Sequence, residues 1–211
     1  MTVRLDDITG VLLAGGQSRR MGGGDKGLLS FGKDTMLGHV IERLAGQVGR
    51  LVLNANGDPA RFADFGLPVV GDTIKGNVGP LAGVLAGMHW ARQHTPNARY
   101  IATASTDAPF LPLDLVEKLY EMAAVNPGGI AIARSGGHLH PVIGLWPVAH
   151  HDDLEVALRD EGIRKVLRWT DRHGTLPVDF ADIEIGGASI DPFFNANTPD
   201  ELEEARRLIE G

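Results

Sequence analysis

The 211-residue chain contains no cysteine. Disulfide staples, thiolate nucleophiles and zinc–thiolate centres are excluded at once, because each needs the sulfur. Positive charge is also in deficit, with 20 Lys and Arg against 27 Asp and Glu. A general nucleic-acid binder needs a basic face to offset phosphate charge, so the net charge of −7 argues against that class. No apolar run approaches the length of a bilayer span. The stretch Met1–Asp7 is acidic and lacks an apolar signal core, which points to the cytoplasm. Aromatics are scarce, and Trp90, Trp146 and Trp169 are scattered as core residues are rather than grouped as stacking platforms.

What the chain has in excess is glycine, 28 residues, many of them clustered as in Gly22-Gly23-Gly24, Gly128-Gly129 and Gly186-Gly187. Such clusters mark tight loops and close backbone approaches. Arg19, Arg20 and Lys26 form a small basic island that suits a polyphosphate better than a long polymer. The length suits one domain spanning residues 1–211, and neither an internal repeat nor a long linker divides it.

Short apolar runs alternate with helix-period segments, the pattern of an α/β sheet protein. Strands are expected at Ile8–Ala14, Arg50–Leu53, Val69–Val70, Tyr100–Ala104, Ile130–Ala133 and Pro177–Phe180, with an antiparallel return at His138–Leu145. Helices are expected at Thr35–Leu44, Pro80–His94, Leu113–Ala124, Asp152–Arg159, Ile163–Thr170 and Thr198–Ile209, the last opened by a Thr198/Glu201 capping box. Open α/β sheets bind ligands beyond the carboxyl ends of their strands. Gly15–Lys26, Asn54–Asn56, Asp72 and Asp107 all fall at such ends and are expected to converge on one crevice.

Three glycine patterns compete for phosphate. Gly22 to Gly27 fits a dinucleotide G-x-G-x-x-G, but it starts well after the strand, whereas that turn must follow the strand directly. Gly27 to Lys33 fits G-x-x-x-x-G-K, but Asp34 stands where the magnesium-binding hydroxyl belongs. The third, Leu13-Ala14-Gly15-Gly16-Gln17-Ser18-Arg19-Arg20-Met21-Gly22 with Asp25-Lys26, begins where the strand ends. Gly15 and Gly16 let backbone N–H groups approach phosphate oxygens, Arg19 or Arg20 can bridge two oxygens, and Lys26 adds a point charge.

That third stretch resembles the signature of the MobA-type molybdenum cofactor guanylyltransferases, within a fold shared with sugar-nucleotide pyrophosphorylases. The resemblance continues through Val52–Asn56, Gly79–Gly83, Thr106–Phe110 and Asn195–Pro199, and so covers nearly the whole chain. Where the family usually has Cys before the aspartate, this chain has Thr106. The resemblance implies a Rossmann-like three-layer α/β/α domain with a mostly parallel mixed sheet, of nucleotide-diphospho-sugar transferase type. It implies transfer of GMP from GTP to the terminal phosphate of molybdenum-molybdopterin, with pyrophosphate released.

Both reactants are anionic, so positioning and charge neutralisation dominate the chemistry. Mg2+ (or Mn2+) is the expected device and Asp107 its expected ligand, with Lys26 and Arg20 also in catalytic roles. By resemblance, Leu13, Ala14 and Gly15 meet the base, Asp72 meets guanine or ribose, and Gly16, Gly22 and Gly79 belong to the nucleotide site. Asn54 offers both donor and acceptor there. His140, Arg164, Lys165, Asn195 and Asn197 are candidates for the molybdopterin half, which the chain beyond about Gly128 supplies. CMP-transferring relatives typically carry Ala at the position of Gly15, so the chain resembles the GTP-using branch. The alternatives are a cytidylyltransferase for the same cofactor, another sugar-nucleotide-type transferase, or a GTP-binding module that delivers cofactor. A Rossmann dehydrogenase is the weakest reading. His138, His140, His150 and His151 lack the spacing of a known transition-metal site and read as structural or surface residues. Cofactor-delivery proteins and apo-molybdoenzymes are the macromolecular partners this reading implies; nucleic acid and membrane are not expected.

Overall fold

The computed structural model describes residues 4–14, 25–76, 78–195 and 198–210. Its centre is a seven-stranded sheet made from β1 (Ile8–Leu13), β4 (Arg50–Asn54), β5 (Val69–Val70), β6 (Tyr100–Ser105), β7 (Ile130–Ser135), β8 (His138–Pro147) and β9 (Thr175–Asp179). Two small hairpins flank it, β2 (Ser30–Phe31) with β3 (Asp34–Thr35) and β10 (Ile183–Ile185) with β11 (Ala188–Ile190). The sheet order is β5-β4-β1-β6-β8-β7-β9. Among the described residues only β8 runs against the others, pairing antiparallel with both β6 and β7. The chain leaves β1 toward β4 and β5, then returns to the other side of β1 as β6. Such a reversal opens a crevice at the carboxyl ends of the strands.

Burial on both faces explains why β1 is apolar apart from Thr9: all of its residues are buried. Ile8 and Leu12 join the core beneath α1 (Met36–Ala45) and α3 (Leu115–Val125). Val11 and Leu13 join the opposite core, beneath α2 (Pro80–His94), α4 (His151–Arg159) and α5 (Val166–His173). Each large apolar side chain buried in this way contributes roughly 1.5–3 kcal/mol. Trp146 and Trp169 lie in the second core, and their indole N–H groups donate to Thr103 Oγ1 at 2.7 Å and Asp153 Oδ2 at 2.8 Å. A third cluster joins Phe31, Met36, Phe110 and Ile190 to Leu202 and Ala205 of α6 (Pro199–Glu210).

The expected elements are present, and the differences have local causes. α5 starts at Val166 rather than Ile163, because Ile163 N–H reaches back to Ala157 O and Arg164 NH1 donates to the carbonyls of Leu158 and Ile163, both at 2.9 Å. Those bonds cap the end of α4 and hold 163–165 extended. α3 starts at Leu115 because Pro112 opens a turn, with Leu115 N–H on Pro112 O. Neither the pair β2 and β3 nor the pair β10 and β11 is among the expected elements. Gly186 and Gly187 join β10 to β11 with φ of 57° and 79°, the two-residue turn that matches strand twist. The Thr198/Glu201 capping box forms reciprocally, with Thr198 N–H on Glu201 Oε2 at 2.9 Å and Glu201 N–H on Thr198 Oγ1 at 3.2 Å.

Candidate active site

Parallel pairing carries the strand ends into the crevice together. Ala14 N–H continues the ladder to Asn54 O at 2.9 Å, and Thr106 N–H reaches Leu13 O at 3.4 Å. Leu13 and Ala14 therefore stand between the ends of β4 and β6. Gly15, Gly16, Arg19, Arg20, Gly22 and Asn197 lie outside the described residues.

Asp25 precedes Lys26, which opens a short 3-10 turn, Lys26–Leu28. Lys26 Nζ stands 3.6 Å from Asp107 Oδ2, with both side chains mostly buried. Gly27 permits the approach: a Cβ there would come within 3.0 Å of Thr106 Cβ. Asp107 is held from its other oxygen by Ser105 Oγ, which donates to Oδ1. Its carboxylate is thus fixed just beyond β6.

A second carboxylate is fixed beside β4. Asn54 Nδ2 donates to Asp72 Oδ1 at 3.0 Å, Asn56 Nδ2 donates to Asp72 Oδ2 at 2.7 Å, and Asp72 N–H donates to Asn56 Oδ1 at 2.9 Å. The other donor of Asn54 goes to Val70 O at 3.2 Å, and the residue is buried. Both Asn54 donors are therefore occupied within the protein, so the residue orients Asp72 rather than presenting a free donor. Gly83 closes over it from α2, where a Cβ would lie 2.3 Å from Asn54 Oδ1 and 2.8 Å from Leu13 Cδ2.

Arg61 ties Asp25, next to Lys26, to Asn56, which holds Asp72, and was not anticipated from the sequence. Its guanidinium donates to Asp25 Oδ2 at 2.5 Å and to Asn56 O at 2.6 Å, and its Nε donates to Asp58 O at 2.9 Å. It lies in the 3-10 segment Pro59–Phe65, outside every motif, and nothing in its spacing marks it. Asn56 and Gly83 do carry a signal, since each stands in a stretch that the resemblance covers.

Gly79 caps α2 with φ of 83°, and its Cα side faces Arg164 O. This brings the start of α2 beside Arg164 and Lys165, both exposed. Arg164 NH1 is engaged by the two carbonyls named above. Farther along the rim, His140 Nε2 lies 2.6 Å from Ser135 Oγ and its ring packs on Phe193 at 4.7 Å. Burial holds the His140 pKa below the ordinary imidazole value; Asp191 pulls it up and His138 pushes it down. Asn195 follows Phe193 and Phe194 on the same segment and is partly buried. A cleft of about 240 Å³ opens beside it, lined in part by Phe110, Ile190, Asp191, Phe194 and Glu204. Two of the other histidines are held structurally: His150 bonds Gly128 O at 2.7 Å and stacks on His173, and His151 receives Arg92 NH1 at 2.8 Å.

The expected convergence therefore holds for the described positions. Lys26 meets Asp107, Asp72 meets Asn54 and Asn56, and Arg61 links Asp25 to Asn56 between them. A reversed parallel sheet with buried carboxylate and lysine at its switch point defines a nucleotide-handling α/β protein.

Comparison with known proteins makes the class specific. Residues 10–175 match the model of the MobA-like NTP transferase domain family, and the chain belongs to that family. A molybdenum cofactor guanylyltransferase of Mesorhizobium japonicum is 50% identical over 204 residues, covering 97% of each chain. Among solved structures, molybdopterin-guanine dinucleotide biosynthesis protein A from Archaeoglobus fulgidus superposes with a TM-score of 0.71 at 22% identity, over 96% of this chain and 98% of that one. A Mycobacterium tuberculosis protein solved as a manganese complex superposes with a TM-score of 0.65 at 20% identity, over 97% of this chain and 98% of that one. Both likenesses bear on the fold. The family is one of nucleotidyltransferases. No described helix is long and apolar enough to cross a membrane.

Proposed function

We propose that the crevice transfers GMP from GTP to the terminal phosphate of molybdenum-bound molybdopterin, yielding the guanine dinucleotide cofactor and pyrophosphate. The observation that carries this is the Lys26–Asp107 pair at the switch point, in a chain half identical to guanylyltransferases. An oxygen of the acceptor phosphate attacks the α-phosphorus of GTP; the α–β phosphoanhydride bond breaks and pyrophosphate leaves with its electron pair.

Lys26, ion-paired with Asp107 at 3.6 Å, offsets the charge of the triphosphate. Arg19, Arg20, Gly15, Gly16 and Gly22 are assigned to the same phosphates, with Leu13 and Ala14 beside the base. Asp72, aimed by two amides, accepts from guanine or ribose. Guanine offers a ring N–H and an amino group side by side to one carboxylate, and cytosine does not, which favours GTP.

The residues fit a magnesium ion, or manganese in its place. Asp107 is a single oriented carboxylate at the reaction centre. Among the described residues no set of three carboxylates or imidazoles gathers for a metal. Magnesium is commonly bound in this way, through one or two carboxylates with substrate phosphates and water. Asp107 would hold it, and the ion when bound neutralises charge on the phosphates.

The whole chain 1–211 acts in this reading as one catalytic unit. His140, Arg164, Lys165, Asn195 and Asn197 serve the acceptor, the reaction occurs in the cytoplasm, and delivery proteins or apo-molybdoenzymes receive the product. The test is incubation with radiolabelled GTP or CTP, magnesium and molybdopterin. Incorporation of GMP is expected, and incorporation of CMP alone overturns the reading.

A further inference from the structure

Ser135, His140 and Asp191 form a hydrogen-bonded chain on the acceptor side of the crevice, built from three separate places in the sequence. β7 ends at Ser135, and Gly136-Gly137 turn it into β8. The β7–β8 register then slips: Ile132 lies opposite Gly144, but Arg134 lies opposite Leu139. More residues of β8 than of β7 occupy that interval, so His140 sits in a bulge. Bulges re-aim side chains beside functional sites. The bulge is anchored by Thr103 Oγ1, which donates to Val142 O at 2.7 Å.

The hydroxyl of Ser135 has one proton and two neighbours. Its Oγ stands 2.8 Å and 2.9 Å from the two oxygens of Asp191 and 2.6 Å from His140 Nε2. An ionised carboxylate only accepts, so the hydroxyl proton goes to Asp191. Ser135 Oγ must then accept from His140, which puts the imidazole proton on Nε2. Asp191 cannot swing away, because Phe193 N–H also holds its Oδ1 at 2.8 Å. Among the described residues no protein group bonds His140 Nδ1. Burial, which favours the neutral ring, leaves that nitrogen with its lone pair.

We propose that Asp191 and Ser135 are positioning residues that fix His140 as its Nε2–H tautomer, so that Nδ1 accepts a hydrogen bond from an N–H of the pterin substrate. The inference rests on the acceptor assignment above and specifies which group reads that acceptor. Position supports it. β8 lies three strand spacings from β4 in the sheet, roughly 14 Å, so His140 and the Asn54–Asp72 pair flank Asp107 from opposite sides. Asp191 also lines the cleft beside Phe110 and Phe194, which opens the chain to an arriving ring. A pterin carries ring and amino N–H donors that a neutral imidazole nitrogen can accept.

The imidazole ¹⁵N spectrum of the intact protein tests the tautomer directly. Wild type and Ser135→Thr are expected to show Nε2–H at His140. Ser135→Ala gives a mixture. Asp191→Asn keeps an oxygen for Phe193 N–H but turns a donor on Ser135, and is expected to shift the ring toward Nδ1–H. In steady-state assays Ser135→Ala is expected to raise KM for molybdopterin about tenfold, the loss of one aligned hydrogen bond, with KM for GTP unchanged. Ser135→Thr restores it. An Nδ1–H or doubly protonated His140 in the wild type at neutral pH overturns the proposal, as does an unchanged molybdopterin KM in Ser135→Ala. Should Ser135→Ala fail to fold, the Thr and Asn variants still decide by spectrum. A wild type inert toward GTP and molybdopterin would instead remove the functional reading, while the spectrum still reports the tautomer.

Discussion

The two sides of the crevice are built differently. On the side proposed for the nucleotide, β1, β4, β5 and β6 run parallel and each presents its residues directly at its own carboxyl end: Ala14, Asn54, the turn to Asp72, and Asp107. On the side proposed for the acceptor the chain turns back through β8, and the residues arrive from a bulge, a hairpin end and a segment after β11. The parallel side makes function a matter of position along the strand. The antiparallel side makes it a matter of which distant segments meet.

If that division is functional, the largest single effect falls at the boundary. Asp107→Ala is expected to lower the rate of GMP transfer by about 10²–10³-fold, the scale of removing one oriented electrostatic group from a transition state. GTP affinity, measured by equilibrium titration, should change only a few-fold. Turnover surviving the substitution would remove Asp107 from the mechanism and erase the boundary.

Lys26→Ala comes next. A charged contact to phosphate contributes about 1.5–3 kcal/mol, so GTP affinity is expected to fall roughly ten- to a hundredfold. The KM for molybdopterin should move far less. Equal losses for both substrates would mean that Lys26 serves the crevice as a whole and not its nucleotide side.

The same division explains what could be read from the chain alone. Strand periodicity located β1, β4, β6 and β8 within a residue or two, because burial on both sides of the sheet demands apolar runs. A rule about strand ends then found Asp72 and Asp107. Arg61 was missed because it joins Asp25 to Asn56 across loops, where no period or motif constrains it. Ser135 and Asp191 were missed for a related reason, since a register slip and a return segment decide their meeting. Asn54 was read at a strand end, where it stands, but its donors were counted as open; only the fold shows that Val70 O and Asp72 occupy them.

Gly83→Ala sharpens the nucleotide side without touching a charge. Helix propensity alone predicts a gain of about 1 kcal/mol. The added methyl, however, would meet Asn54 Oδ1 at 2.3 Å and Leu13 Cδ2 at 2.8 Å, in a packed core that cannot yield cheaply. Overpacking of this kind costs about 1–3 kcal/mol, so a lower melting temperature is expected, by about 2–4 °C per kcal/mol at this size. A raised melting temperature would show that Asn54 moves freely and that Asp72 is not held by it.

Thr198→Ala is the smallest change and probes the opposite side. Thr198 Oγ1 accepts from Glu201 N–H, and Glu201 Oε2 accepts from Thr198 N–H, so the substitution removes one arm of the cap that starts α6. Loss of such a cap costs about 1 kcal/mol. α6 carries Leu202 and Ala205 into the cluster with Phe110 and Ile190, and Ala205 also lines the cleft. Loosening its first turn should therefore raise KM for molybdopterin by a few-fold while KM for GTP stays fixed. Ala14, Asn54 and Asp107 stand at the ends of β1, β4 and β6, whereas α6 packs in the cluster of Phe110 and Ile190, so an equal rise in both constants would show that the two sides of the crevice are coupled through α6.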